Sequence, residues 1–254
     1  MSVKIRLPNF IIGGAPRAGT TWLYHLLDLH PEVYMAKPVK PEPKFFLIDE
    51  VYNRGIEYYA TTWFANLSSA KIAGEKSTNY LESPVAAARI RKHLPEVKLV
   101  FILRDPADRA FSNYLWSRMN GREHEDFATA LALEPQRERT EPPELRYARP
   151  HAYFSRGLYA DLLRPYFELF PRDRIMCLRF EEIVTDRHAL AERLHRFLGV
   201  APRPQDAQNL GVINSAEKSD ATMPAEVRND LLRRYSEPNR QLAKLLGTDF
   251  EVWA

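Results

Sequence analysis

The segment FIIGGAPRAGTTWL (Phe10–Leu23) contains an apolar run, a glycine-bearing turn and the start of an amphipathic helix. A strand, a loop and a helix in this order place backbone N–H groups at a helix N-terminus, where they bind phosphate groups. Gly14 and Gly19 fit the two glycines of the nucleotide-binding pattern, whereas Thr20 occupies its lysine position. The positive charge lies within the loop instead, at Arg17. The segment therefore predicts an anion-binding loop and argues against an ordinary ATPase or kinase.

The composition is that of an ordinary globular chain. Its 254 residues, 45% apolar and 27% charged, are enough for one substantial α/β domain. The 36 Lys and Arg residues exceed the 33 Asp and Glu residues by three, a balance too weak to predict a nucleic-acid partner. The single cysteine, Cys177, excludes an intramolecular disulfide. No apolar run reaches the ~20 residues of a membrane span and no secretory signal is recognisable, so we expect a cytoplasmic protein without stable membrane insertion.

Strand-like and helix-like segments alternate along the chain, which predicts a parallel sheet covered by helices. The predicted strands are Asn9–Gly13, Lys71–Gly74, Lys98–Leu103 and Arg174–Leu178. The predicted helices, with apolar residues three and four apart, are Thr20–Leu29, Pro84–His93, Pro106–Trp116, Tyr159–Phe170, Arg187–Leu198 and Pro224–Leu246. Because no linker divides the chain, the expected fold is a single α/β domain over residues 1–254, with a P-loop-type, mainly parallel sheet flanked by helices.

Two long segments carry little sign of regular structure. Gly121–Pro150 is polar and proline-bearing, with Phe127–Leu133 as its only helical-looking piece, and is predicted to be a mobile excursion over the surface. Val200–Pro224 is predicted to be a second long loop. Because loops on a rigid scaffold often carry function, we expect both segments to border a binding cleft.

A second candidate site follows the predicted strand Lys98–Leu103. Arg104 lies directly after this strand, at the carboxyl end where open α/β sheets bind ligands. Pro106 fits the first turn of the next helix, and Ser112 lies about two turns into it. Arg104 and Ser112 can therefore bind one anion. The alternative is that Arg104–Pro106 is only a structural turn and that Ser112 is a residue of the helix surface.

Two further segments carry candidate catalytic residues. In GEKSTNY (Gly74–Tyr80), Lys76 follows a predicted strand and is a candidate contact for a phosphate or a leaving group. In KPVKPEPKFF (Lys37–Phe46), prolines favour an extended, semi-rigid chain that holds Glu42 among lysines, including Lys44. A carboxylate so placed can accept a proton from a substrate hydroxyl or amine, with a solvated loop acid as the alternative.

Together these four segments resemble the sulfotransferases that use 3′-phosphoadenosine 5′-phosphosulfate (PAPS). The chain is most similar to the branch that contains the heparan sulfate N- and O-sulfotransferases and many bacterial enzymes. The shared motifs, which occur in order and cover nearly the whole chain, are Leu29-His30-Pro31, Glu42-x-Lys44-Phe45-Phe46, Glu75-Lys76-Ser77-x-x-Tyr80, Arg104-Asp105-Pro106-x-x-Arg109-x-x-Ser112, Phe197-Leu198-Gly199 and Tyr235-x-x-Pro238-Asn239-x-x-Leu242.

The resemblance implies a role for each candidate residue. Arg104 and Ser112 would bind the 3′-phosphate of the cofactor. Glu42 would be the catalytic base. The loop residues that would bind the 5′-phosphosulfate are Pro16, Arg17, Ala18, Gly19, Thr20, Thr21 and Trp22. The cations that would stabilise the transferring sulfuryl group and the leaving phosphate are Arg17, Lys44 and Lys76.

Two departures from the family pattern stand out. Many members carry Lys where this chain has Arg17, whose planar guanidinium delivers charge differently from an ammonium. The heparan sulfate enzymes close the 3′-phosphate site with a Lys-Gly-Arg run, where this chain has Asn214, Ser215 and Lys218. The resemblance therefore leaves open which residues of Gly211–Pro224 complete that site.

The implied reaction transfers a sulfuryl group from PAPS to a hydroxyl or amine of a glycan, lipid or small-molecule acceptor, with a saccharide or small metabolite favoured. No metal is implied, and the seven histidines are scattered rather than clustered. One alternative is a P-loop kinase or NTPase, with Asp105 as a metal ligand. Another is a non-catalytic nucleotide- or glycan-binding module, which would keep Arg104 and Ser112 but not need Glu42. The sequence does not predict an oligomeric state.

Overall fold

The structure is a computed structural model that describes residues 6–65, 67, 70–208, 210–211, 221–247 and 250–253. The chain divides into two compact units, each made of two stretches of sequence. Unit 1 comprises Met1–Ile102 with Pro165–Ile213, and unit 2 comprises Leu103–Arg164 with Asn214–Ala254. The expectation of one domain over residues 1–254 stays a prediction.

A five-stranded sheet carries unit 1, in the order β2-β3-β1-β4-β5. β1 pairs in parallel with β3 and with β4, and β2 pairs in parallel with β3. The strands are β1 Phe10–Gly14, β2 Val33–Met35, β3 Ile72–Lys76, β4 Lys98–Leu103 and β5 Ile175–Arg179. The predicted α/β fold with a mainly parallel sheet is confirmed. The sequence did not predict β2, and β3 extends two residues beyond its predicted end at Gly74.

Burial explains why these runs form central strands. All five residues of β1 are buried, as are the last five of β4, as expected for parallel strands covered on both faces. The register between β1 and β4 shifts between Ile12 and Gly14. A Cβ on Gly13 would lie 2.7 Å from the ring of Phe101, so glycine allows the close approach of the two strands at this point.

The predicted helices all form, with ends that differ by at most three residues outside the long loops. Ser83 caps one of them by accepting a hydrogen bond from the backbone N–H of Ala86 at 3.1 Å. The described helices are α1 Thr20–Asp28, α2 Asp49–Tyr52, α3 Ile56–Trp63, α4 Pro84–His93, α5 Pro106–Met119, α6 Phe127–Thr140, α7 Tyr159–Leu169, α8 Glu182–Thr185, α9 Arg187–Leu198 and α10 Ala225–Leu246. Among these helices, none combines the length and apolar character needed to cross a bilayer.

The core of unit 1 lies between the sheet and the helices α1 and α9. Leu23 and Leu27 of α1 and Leu190 and Leu194 of α9 are fully buried in the same apolar cluster as Ile12 of β1. Burial of side chains of this size contributes about 1.5–3 kcal/mol each. The amphipathic pattern of α1 is therefore what fixes the loop before it against the sheet.

The core of unit 2 corrects one expectation. Gly121–Pro150 was expected to be a mobile surface excursion, but its central part is α6, which extends through Pro135 to Thr140. Phe127 and Leu131 of this helix are buried against residues of α5 and α10. The buried carboxylate of Glu134 accepts hydrogen bonds from the backbone N–H groups of Phe154 (2.6 Å) and Ser155 (2.8 Å). The segment is thus an ordered part of this core.

Candidate active site

The loop between β1 and α1 has an unusual backbone conformation at Arg17 and at Gly19, the residue before α1. Arg17 has φ 67° and Gly19 has φ 87°, both in the left-handed region. A Cβ on Gly19 would lie 2.9 Å from the ring of Phe180 and 2.8 Å from Ile183, so both conformation and space require glycine here. Gly19 precedes α1 without a side-chain cap, and the first turn of α1 carries no acidic residue. This N-terminus therefore keeps its backbone donors and positive dipole for an anion.

The seven predicted loop residues lie together around this N-terminus. Trp22 is 3% exposed and belongs to the core cluster, so only its backbone can contribute to an anion site. Ala18 and Thr20 are also buried, and the half-buried members are Pro16, Arg17, Gly19 and Thr21. These residues stay predicted cofactor ligands.

Glu42 lies at the carboxyl end of β3, where donors fix its carboxylate. Lys76, the last residue of β3, forms an ion pair with Oε1 of Glu42, and the Lys76 side chain is 2% exposed. Thr78 donates its backbone N–H to Oε2 at 3.1 Å and its hydroxyl to both oxygens at 3.3 and 3.2 Å. The structure therefore brings together two predicted catalytic residues, and the sequence did not predict the contact with Thr78.

The segment Lys37–Lys44 forms neither helix nor strand, as predicted. Its end is attached to the residues after β3, since the backbone N–H of Lys44 donates to Oγ of Ser77 at 2.9 Å. Lys44 itself has φ 47°, a left-handed conformation that lets the chain turn between Glu42 and the buried Phe45. Glu42 and Lys44 are thus held at the same end of β3 as Lys76.

A fully buried carboxyl group, Glu75, lies next to Lys76 in β3. It accepts hydrogen bonds from the hydroxyls of Tyr59 (2.7 Å), Ser77 (2.8 Å) and Tyr80 (3.1 Å). Burial raises its pKa to about 7, although the three hydroxyl donors act in the opposite direction. The sequence signal for this cluster was the family motif Glu75-Lys76-Ser77-x-x-Tyr80, which names the residues but not the hydrogen bonds between them.

Arg104 and Ser112 belong to unit 2. Arg104 directly follows β4, and its carbonyl oxygen accepts a hydrogen bond from the Tyr159 hydroxyl at 2.8 Å. Ser112 lies in α5 and is 5% exposed. Asp105 caps α5 by accepting hydrogen bonds from the N–H groups of Ala107 and Asp108, at 2.8 and 3.1 Å. Arg104 therefore lies in a well-anchored turn and Ser112 in the helix that follows it, and their role as 3′-phosphate ligands stays a prediction.

Asp105 was the metal ligand that the kinase or NTPase alternative required, and its carboxylate already has other partners. The carboxylate of Asp105 is engaged in capping α5 and lies 3.5 Å from the guanidinium of Arg228. Within the part of the chain that the structure describes, no group of three or more His, Cys, Asp or Glu side chains could hold a metal ion. Asn214, Ser215 and Lys218, the residues at the position of the family's Lys-Gly-Arg run, lie outside the described residues.

Comparison with known proteins identifies the family of the chain. Residues 7–216 match the protein-family model described as "Sulfotransferase domain". A solved sulfotransferase from Alicyclobacillus acidocaldarius superimposes with a TM-score of 0.80 and 29% identity, covering 97% of this chain and 98% of the other.

Curated relatives agree with this match. The bovine bifunctional heparan sulfate N-deacetylase/N-sulfotransferase 2 is 30% identical over 203 residues, which cover 78% of this chain and 22% of the relative. The mouse heparan sulfate glucosamine 3-O-sulfotransferase 3B1 is 27% identical over 265 residues, which cover 96% of this chain and 65% of the relative. The first of these relatives is thus several times longer than the region it shares with this chain. The predicted family is confirmed, and the chain belongs to the sulfotransferases.

Proposed function

We propose that this chain transfers a sulfuryl group from PAPS to a hydroxyl or amine of an acceptor molecule. The observation that carries the proposal is the arrangement at the carboxyl end of β3, where Lys76 and Thr78 hold Glu42 in one orientation. A fixed carboxylate beside a buried ammonium suits a reaction that removes a proton and develops negative charge nearby. Family membership supports this reaction over phosphoryl transfer or simple binding.

The residues of the chain fit an anionic donor such as PAPS, which supplies an activated sulfuryl group when bound. The uncapped first turn of α1 offers backbone donors, and Arg17 adds a guanidinium to the same loop. Lys44 and Lys76 add ammonium groups at the end of β3. These cations can stabilise charge on the sulfuryl oxygens and on the leaving phosphate. We propose Arg104 and Ser112 as ligands of the 3′-phosphate, on the basis of their motif.

Glu42 is the proposed general base. Three donor groups, the ammonium of Lys76 and the N–H and hydroxyl of Thr78, face the four lone pairs of the carboxylate, so Glu42 can accept a proton from the acceptor while they orient it. A positioned base contributes about 10²–10⁴-fold to the rate. Pro43, which follows Glu42 in the sequence, is buried, and its ring restricts the backbone next to the base. In this assignment Glu42 would take the proton of the acceptor hydroxyl or amine as that group bonds to sulfur and the bond between sulfur and the leaving phosphate breaks.

The substitution Glu42→Gln tests this assignment, because the amide keeps the shape of the side chain and loses its basicity. We expect turnover to fall by about 10²–10⁴-fold, with nearly unchanged affinity for the product nucleotide. Glu50→Gln, which removes an exposed carboxylate from α2, is the matched control and should leave turnover unchanged. Near-normal turnover of Glu42→Gln would show that the base has been misassigned.

Calorimetry separates the proposed donor from its main alternative. The product nucleotide, 3′-phosphoadenosine 5′-phosphate, should bind without magnesium and in preference to ATP. Preference for ATP with magnesium would favour a kinase instead.

The proposed acceptor class is a saccharide, with a small metabolite or a lipid as alternatives. Two similar proteins carry heparan sulfate in their names, which supports a glycan hydroxyl or amine. A screen of candidate acceptors with sulfur-labelled cofactor would identify the class. Transfer only to lipids or to non-saccharide metabolites would contradict the saccharide assignment. A cytoplasmic location and the absence of a nucleic-acid partner stay predictions.

A further inference from the structure

Three groups at the end of β3 form what we call the Glu75 cluster: the carboxylate of Glu75 and the hydroxyls of Ser77 and Tyr80. All three residues are fully buried. A hydroxyl has a single proton to donate, and both hydroxyls donate it to Glu75. The lone pairs of the two hydroxyl oxygens are therefore left to accept hydrogen bonds in fixed directions.

Those lone pairs face the backbone of the segment that carries Glu42. Ser77 accepts a hydrogen bond from the N–H of Lys44 at 2.9 Å, and Tyr80 accepts one from the N–H of Phe46 at 3.2 Å. Lys44 and Phe46 follow Glu42 by two and four residues. The cluster thus attaches this segment to β3 at two points on the C-terminal side of the base.

We propose that Glu75 is a positioning residue for the reaction: it orients the Ser77 and Tyr80 hydroxyls, and these fix the backbone that places Glu42 beside Lys76. Glu75 is 0% exposed, so it acts through these groups and not on the acceptor. The proposal rests on the proposed function, in which Glu42 is the base. A displacement of about 1 Å in a reacting group can cost on the order of 10²-fold in rate, so two anchoring hydrogen bonds are enough to matter.

Tyr59 and Tyr80 provide a matched pair of variants. Both tyrosines are fully buried, and both donate to the same oxygen of Glu75, Oε1. Only Tyr80 also accepts a hydrogen bond from the segment, at Phe46. Tyr59→Phe and Tyr80→Phe therefore remove similar bonds to Glu75, whereas only Tyr80→Phe removes an attachment of the Glu42 segment.

We expect Tyr80→Phe to lower kcat by about tenfold and Tyr59→Phe by no more than about twofold. Both values are smaller than the roughly 10²-fold loss that a 1 Å displacement of a reacting group can cause. The affinity for the product nucleotide should be unchanged in both. A purely structural role would lower the thermal stability of the two variants alike and would not separate their kcat values. If Tyr80→Phe does not fold, Ser77→Ala removes the other attachment, at Lys44, and replaces it in the comparison.

The same substitutions in the Glu42→Gln background test whether the effect passes through the base. Residues that act as a unit are non-additive, so Tyr80→Phe should cause no further loss of kcat there. Glu75→Gln should likewise lower kcat by about tenfold or more in the native background and have no further effect in Glu42→Gln.

The two proposals fail in different ways. Equal kcat values for Tyr59→Phe and Tyr80→Phe, or a full additional loss in the Glu42→Gln background, would overturn the positioning role while leaving Glu42 as base. Near-normal turnover of Glu42→Gln would overturn the base assignment and, with it, this inference.

Discussion

We expect a single buried carboxyl group, Glu75, to lower the free energy of unfolding by about 3 kcal/mol as the pH rises from 4.5 to 7. Burial raises the pKa of this group from 4.5 to about 7 in the folded chain. Below pH 4.5 the carboxyl is protonated in both states. Between these two pH values the unfolded chain releases the proton first, so ionisation favours the unfolded state and stability decreases.

The magnitude follows from the difference between the two pKa values. Each pKa unit corresponds to about 1.36 kcal/mol, and the folded value lies about 2.5 units above the unfolded one. Because Glu75 is 0% exposed, solvent does not screen this cost. The hydroxyls of Tyr59, Ser77 and Tyr80 oppose the rise, whereas burial causes it, with a smaller contribution from the charge of Glu42.

Urea denaturation of the native protein and of Glu75→Gln, measured from pH 5 to pH 8, isolates this contribution. As the pH rises, the native protein should lose stability relative to Glu75→Gln, and this relative loss should amount to most of the 3 kcal/mol. Tyr59→Phe keeps the carboxyl, so stability should still decrease as the pH rises, with the decrease extended to higher pH because one donor that lowers the pKa of Glu75 is lost. If the native protein and Glu75→Gln give parallel profiles, the carboxyl does not titrate in this range and the reasoning is wrong.

Two further substitutions test other parts of the molecule. Arg104→Ala should weaken binding of the product nucleotide by about 1.5–3 kcal/mol, the range for a hydrogen bond to a charged group, and unchanged affinity in calorimetry would remove Arg104 from the 3′-phosphate site. Gly74→Ala should destabilise unit 1 by about 1–3 kcal/mol in urea, because the new Cβ would lie 2.2 Å from the ring of Phe10. Gly211→Ala is its control, since a Cβ there meets no described atom within 4 Å, and equal stability of the two variants would contradict the packing argument.

Elements with a strong local signal were predicted well from the sequence. β4 has its predicted bounds because Leu99–Leu103 is a continuous apolar run that follows Lys98, and α9 has its predicted bounds because its apolar residues keep helical spacing. β2 has only three residues and pairs only with β3, so it leaves no periodic pattern. α3 contains Thr61 and Thr62 and buries only Tyr59 and Ala60, so neither propensity nor periodicity marks it as a helix.

In the candidate site, too, some features could be predicted from the sequence and others could not. Glu42 and Lys76 could be singled out because each lies in a recognisable motif. Their ion pair joins residues 34 positions apart, and only the fold brings such residues together. The bonds from the Glu75 cluster to Lys44 and Phe46 are also long-range, so no spacing rule reveals them. The sequence was therefore enough to predict which side chains carry the chemistry, whereas their hydrogen-bond and ion-pair partners are known only from the tertiary structure.

The interleaving of the two units limits how the polypeptide can be divided. Its sequence passes from one unit to the other after Ile102, after Arg164 and after Ile213. During synthesis, β1–β4 are complete long before Leu190 and Leu194 of α9 have been translated, although these leucines belong to the same apolar core. A nascent chain at that stage exposes the surface that α9 covers later. No single cut yields two self-sufficient fragments, so split-protein reporters and truncated expression products of this chain would each lack part of a core.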